Sequence, residues 1–402
     1  MTGILADIRV LEFTNAPSGS FCGKLLADQG ATVVKIESPL TLDPLRSDPP
    51  FLETIHGEQI SSAYLAFNTN KLGITLDIEH PMGRELAAGL VDASDVIIES
   101  YQPGYLNNLG LGYTALTEKN PGLIMLSITY FGQSGPYAQY KGDDLTSQAM
   151  GGFLYAVTGS ADKPPMGTTL NQMEITAARN GSIAIMAALI RKLDTDLGTH
   201  IDLSTVESAV ATPSQLIHPF SFTGKNPKRG GSDTNVMDGM HLPTKDGEVT
   251  LTTAGTGGRP MEAWSEFLGE PRLKEPLFET RQKRLDNWEA LYDLVAPKLR
   301  DWENIPLMEA TMVKGLVIGL VQNPHQVLQS PHLSERGYFV SLPSNELGAL
   351  KYPGPGFFID GENIMDATRS APSPGEHNAQ VLGELLGIEE SQIQSLTEKG
   401  VI

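Results

Sequence analysis

The sequence is short of cysteine, of positive charge and of long apolar runs, and each shortage removes a class of protein. A single cysteine, Cys22, in 402 residues excludes an intrachain disulfide and a cysteine-cluster metal site. That usage suits a reducing compartment, and a cytoplasmic location is the expectation. Lys and Arg number 29 against 48 Asp and Glu, a formal net charge of -19. Such a chain repels nucleic acid and anionic membrane, so neither is expected as a partner. A phosphate-bearing ligand must find local cations set against the global field. No run approaches the roughly 18 apolar residues that span a bilayer. Residues 1–6 have neither the basic leader nor the apolar stretch of a signal peptide. Catalytic signatures are missing too. No G-x-G-x-x-G follows the first strand, no G-x-S-x-G elbow occurs, and the eight histidines form no H-x-x-x-H or H-E-x-x-H pattern. A dinucleotide fingerprint, a serine triad and a zinc site are therefore not expected, and neither is a permanently bound cofactor.

What is present is 40% hydrophobic residues and a length that exceeds one small core, so two domains are expected. Apolar runs at 8–13 (IRVLEF), 32–37 (TVVKIE), 73–78 (GITLDI), 95–99 (DVIIE) and 123–130 (LIMLSITY) read as strands. Helices are expected at 18–29 and 81–93. Strands alternating with helices, and apolar along their whole length, imply an α/β fold with a mostly parallel sheet covered on both faces. Ligands of such sheets bind beyond the carboxyl ends of the strands, here the loops 38–50, 99–104 and 131–142. A short strand at 200–203 and a helix from 205 follow. Residues 220–239 read as a linker, although Lys225, Lys228, Arg229, Gly230 and Gly231 could also cradle an anion. A hairpin at 240–254, turning at Asp246-Gly247, and helices at 260–268, 288–299 and 305–310 make a smaller α+β domain. The expected organisation is a large Rossmann-like domain begun by 1–219, a linker at 220–239, the small domain at 240–330, and a return segment, 331–402, that completes the large domain. Helices are expected at 375–386 and 389–399.

Residues 141–192 organise the chain. A charged turn (Lys141, Asp143, Asp144) leads through a Gly- and Pro-rich loop into a helix of small and apolar residues. Such a helix is expected to be buried on nearly every face. One carboxylate, Glu174, lies in its first turn, near free backbone N–H groups and the positive end of the helix dipole. That setting can hold a reactive carboxylate. Asn171-Gln172-Met173-Glu174 also fits a capping box, with Glu174 reaching back to Asn171. Lys71 and Lys141 are cations in candidate ligand loops, or ordinary solvated lysines.

Taken in order, LADIRVLEFTNAPSG, LLADQGATVVKIE, NTNKLGITLDIEHPMGREL, DVIIESYQPGYLNNLGLGY, FGQSGPYAQYKGDDLTSQAMGG, HLPTKDGEVTL and PGEHNAQVLGELLG resemble segments of the family III CoA-transferases. That group includes the formyl-CoA:oxalate and carnitine CoA-transferases. The resemblance covers nearly the whole chain. It implies a Rossmann-like large domain, a small domain and two chains interlocked as a dimer. Acyl-CoA and a free carboxylic acid are then the substrates, with CoA as substrate and not as a resident cofactor. The family's nucleophilic aspartate falls on Glu174. The CoA-contacting set implied by the resemblance is Ala16, Arg46, Lys71, Ser100, Tyr101, Asn108 and Lys141. Three departures stand out. Ser38 follows the KIE strand where an arginine is usual, Leu72 replaces a second basic residue beside Lys71, and Asn108 replaces an arginine. A related racemase's histidine corresponds to Asp143, so racemisation is not expected. CoA transfer with Glu174 as nucleophile is the leading expectation. The alternative is a silent subunit paired with a paralogue that carries the catalytic aspartate.

Overall fold

A computed structural model describes residues 3–156, 164–212, 214–226, 239–252, 261–343, 347–365 and 369–402. Six strands form one sheet: β1 (Arg9–Phe13), β2 (Thr32–Glu37), β3 (Leu72–Thr75), β4 (Val96–Glu99), β5 (Ile124–Thr129) and β6 (Thr199–Ser204). Their spatial order is β3-β2-β1-β4-β5-β6, and every pairing is parallel. This is the doubly wound order, with its switch point between β1 and β4. Alternate strand residues serve opposite cores. Val10, Val33, Val96 and Ile98 pack with α1 (Pro17–Ala27) and α4 (Gln172–Thr195). Leu11, Val34, Ile97 and Met125 pack with α2 (Pro81–Asp92) and two C-terminal helices, α6 (Asn378–Leu386) and α7 (Glu390–Glu398). Two further helices, α3 (Asp144–Met150) and α5 (Thr205–Ala211), stand near the N-terminus of α4.

The strand β3 would leave an unpaired edge, and residues 377–378 close it. Gly73 N–H donates to His377 Nδ1 (3.1 Å) and Thr75 N–H to Asn378 Oδ1 (2.9 Å). Gly73 O accepts from His377 N (2.9 Å). Covering an edge in this way removes a template for aggregation.

Contacts divide the chain into two compact units: Met1–Gly152 with Gly167–Thr212 and Glu335–Ile402, and Phe153–Met166 with Pro213–Ser334. The second contains a three-stranded antiparallel sheet of β7 (Gly239–Pro243), β8 (Glu248–Thr252) and β9 (Ile318–Val321), in the order β9-β8-β7. Leu242, Val249, Trp264, Leu291 and Leu299 are buried in its core.

Two expectations need correction. The loop 38–50 contains a 3-10 turn (Pro44–Ser47), and a short hairpin of Phe51–Glu53 and Gln59–Ser61 follows it. The helix α4 is not buried on every face. Ala177, Ala178, Gly181 and Ile185 are buried, whereas Ile183, Ile190 and Leu193 are exposed. Its small residues serve close approach: a Cβ on Gly181 would lie 2.8 Å from Leu126 Cδ2 and 3.3 Å from Cys22 Sγ. Among the described residues no helix is long and apolar enough to cross a membrane, and no group of His, Cys, Asp and Glu could hold a metal.

Candidate active site

Three successive carboxylates close helix N-termini around Glu174. Asp143 caps its own helix α3, accepting from Thr146 N (2.7 Å). Asp144, next along, reaches across to α4, where its Oδ1 accepts from Met173 N (2.7 Å) and Glu174 N (3.1 Å). Glu174 in turn reaches across to α1, where its Oε2 accepts from Ser18 N (2.9 Å). The N-cap of α1 is Ala16, which has no side-chain acceptor, so Glu174 supplies what Ala16 cannot. The capping-box reading is therefore overturned. Asn171 sits at φ 51 in the left-handed region and makes no capping bond, and the Glu174 carboxylate points away from it. The physical reason is that Asp144 already satisfies the first turn of α4.

Glu174 is 1% exposed. Burial pushes its carboxyl above the usual glutamate value of 4.5; hydrogen bonds from Ser18 and Tyr130 oppose this, and the Asp144 charge adds to it. Burial and the Glu174 charge raise the Tyr130 phenol far above its ordinary range, so it stays protonated. Its ring packs against Gly142, where a Cβ would lie 2.7 Å from the ring Cγ.

Ser18 and Tyr130 form part of the wall of a cavity of about 210 Å³ at the switch point; Glu174 does not line it and is joined to its wall through Ser18 N. Ala16, Ser100, Tyr101 and Lys141 line the same cavity, so four of the seven expected contacts come together. The turn after β4 is held firmly. Glu99 Oε2 accepts from Tyr101 N (2.8 Å), Ser100 Oγ accepts from Asn15 N (3.0 Å), and Gln102 Nε2 donates to Gln139 O (2.7 Å).

The other three residues lie elsewhere. Lys71 is wholly buried, its Nζ bound to Glu12 Oε2 (2.7 Å), Ser20 O (2.7 Å) and Asn68 Oδ1 (2.8 Å). Burial drops its ammonium to about 8, against the pull of Glu12. Arg46 is committed to Glu37 through two bonds (2.8 and 2.7 Å) and lies 3.8 Å from the centre of the Tyr64 ring. Asn108 is exposed, ends a single helical turn (Tyr105–Asn108) and does not line the cavity. The two cations are drawn inward because Glu12 and Glu37 sit on buried strands and need partners. Of the possible anion cradle in 220–239, Lys228, Arg229, Gly230 and Gly231 lie outside the described residues.

Residues 5–378 match CoA-transferase family III. The chain belongs to this family. It is a CoA-transferase, moving CoA between an acyl-CoA and a free carboxylic acid. The CoA-transferase is 31% identical over 392 residues to succinate–glutarate CoA-transferase of Agrobacterium fabrum, covering 96% of each chain. It is 30% identical to the BbsE subunit of succinyl-CoA:(R)-benzylsuccinate CoA-transferase of Thauera aromatica, over 98% of this chain and 97% of that one. The crystal structure of a CaiB/BaiF family protein from Brucella suis matches it with a TM-score of 0.84 at 29% identity, over 96% of this chain and all of the other.

Proposed function

We propose that Glu174 is the nucleophile of this CoA-transferase and that its substrates are dicarboxylic acids and their CoA thioesters. A single observation carries the first part: a buried carboxylate, raised above its usual range and bonded to the N–H of Ser18, which lines a cavity at the switch point. The names of the relatives support the second part, since succinate, glutarate and benzylsuccinate are all dicarboxylic. Acyl-CoA approaches through the cavity, with Lys141 near its phosphates. Glu174 Oε attacks the thioester carbonyl carbon; the C–S bond breaks and CoA leaves as thiolate, giving a mixed anhydride. The thiolate sulfur attacks Glu174 Cδ, expels the first carboxylate and forms a glutamyl-CoA thioester. The acceptor carboxylate attacks Cδ and releases CoA thiolate, which takes the new acyl group and frees Glu174. No proton and no electron pair is gained or lost over the cycle. The reading takes the working form as a dimer, which light scattering on the purified protein tests.

The experiment is to incubate the protein with succinyl-CoA, quench with hydroxylamine and map the adduct by mass spectrometry. Modification is expected at Glu174, with loss of activity, and Glu174→Ala should be inactive. An active Glu174→Ala, or an adduct elsewhere, would refute the assignment.

A further inference from the structure

We infer that the acid this enzyme prefers carries an aryl substituent, which lies on a shelf of aromatic rings at the cavity rim. The inference rests on the dicarboxylic substrates proposed above and names the side group that they bear. Tyr140 lines the cavity and is 61% exposed; Tyr137, 47% exposed, lies beside it with ring centres 5.2 Å apart. Phe131 meets both rings edge-on, at 6.0 and 6.4 Å. Edge-to-face contacts of this kind fix ring orientation, so the two tyrosines keep open faces in set positions. Exposed aromatic surface beside a cavity marks a place built for a ligand.

The segment that bears the tyrosines is held at three points. Tyr140 N donates to Tyr137 O (2.8 Å), Gln102 Nε2 to Gln139 O (2.7 Å), and Gln139 Nε2 to Pro103 O (3.2 Å). The last two bonds tie it to the turn after β4, whose Gln102 and Pro103 also line the cavity. A shelf fixed before binding spares the complex the cost of ordering it. Ala16, Pro103, Ile128 and Ala138 continue the apolar surface, and among the described residues Lys141 is the one charged group in the lining. The ring belongs to the acid and not to the nucleotide. Ser18, in the same wall, bonds Glu174, so this cavity of about 210 Å³ takes the group that reacts there. The adenine of CoA lies beyond the pantetheine arm and two phosphates from the thioester, too far to share that space with the reacting carbonyl.

The test uses succinyl-CoA as donor and two acceptors that differ by one phenyl ring, 2-methylsuccinate and 2-benzylsuccinate. Chromatography follows the new thioester, and calorimetry gives the Kd of each free acid. Wild type is expected to favour 2-benzylsuccinate about 10-fold in kcat/KM and in Kd, the scale of one buried ring contact. Tyr140→Ala should cut that preference to about 2-fold, and Tyr140→Phe, which keeps the ring face, should retain it. No preference in the wild type, or a preference that survives in Tyr140→Ala, overturns the inference. So does a rise in KM for succinyl-CoA in Tyr140→Ala equal to the loss for 2-benzylsuccinate, because the shelf then serves the adenine. Transfer to neither acid instead refutes the dicarboxylic reading, and the calorimetric preference then decides the shelf by itself.

Discussion

Asp144→Ala should weaken the protein where its active carboxylate is mounted. Asp144 Oδ1 holds the N–H groups of Met173 and of Glu174 itself. Asn171, at φ 51, makes no capping bond, so no other side chain takes over. Losing an N-cap costs about 0.5–2 kcal/mol, and hydrogen bonds to a charged acceptor lie toward the upper end. Asp144 is half-buried and serves three donors, the third being Gln148 Nε2 on Oδ2 (2.6 Å), which points to about 2 kcal/mol. For a large domain that corresponds to a fall in Tm of about 4–8 °C. Asp144→Asn keeps an acceptor oxygen and should recover most of the loss. The two variants also separate geometry from charge. The Asp144 charge helps raise the Glu174 carboxyl, so the Asn variant lowers it. Glu174 reacts as carboxylate, and its raised pKa places the acid limb of kcat/KM above 4.5. In Asp144→Asn that limb should move to lower pH. Calorimetry and pH–rate profiles on both variants read these effects. Equal Tm losses for Ala and Asn, or an acid limb that stays in place in Asp144→Asn, would refute the reasoning.

Two further outcomes are expected. Burial pushes the Glu99 carboxyl up to about 7, with Asp202 adding to it and hydrogen bonds from Ser127 and Tyr101 N opposing. Its folded pKa is above the unfolded one, so its contribution to stability is full below about 4.5 and is lost as pH rises through about 7. The Tm of Glu99→Gln relative to wild type should therefore climb between pH 4.5 and pH 8, and a flat difference would contradict this. Lys141 is the cavity's lysine and is exposed. Lys141→Ala should raise KM for succinyl-CoA about 2–5-fold at low salt, with the effect shrinking at high salt. A salt-independent KM equal to wild type would remove it from the CoA contacts.

The strands, the parallel sheet and the position of Glu174 were legible in the sequence, because long apolar runs between helices admit few arrangements. The cations were not. Lys71 and Arg46 sit in loops and looked available, yet the deciding residues were elsewhere. Glu12 in RVLEF and Lys35 in TVVKIE are charges on central strands, and a buried charge demands a partner. The structure joins Lys35 and Lys71 to Glu12 at 2.9 and 2.7 Å. That demand could have been read from the sequence, though not which loop would meet it. Tyr130, one residue beyond β5 at the ligand edge of the sheet, carried a similar positional signal. The reach of Asp144 to α4 carried none, since a cap supplied by another helix has no sequence spacing.

The closure of β3 by residues 377–378 has a consequence in time. Leu72, Ile74 and Leu90 share one core with Val381, Leu382, Leu396 and Val401. Asp77 N also donates to Val401 O (2.7 Å). On the ribosome the first of these residues emerge about 300 positions before the last, with the second unit made in between. At roughly 5–20 residues per second, that interval is on the order of 15–60 s. Throughout it, half of a hydrophobic core and an open strand edge wait for their cover. The large unit is thus completed last although it is begun first, and its exposure to chaperones is written into the order of the chain.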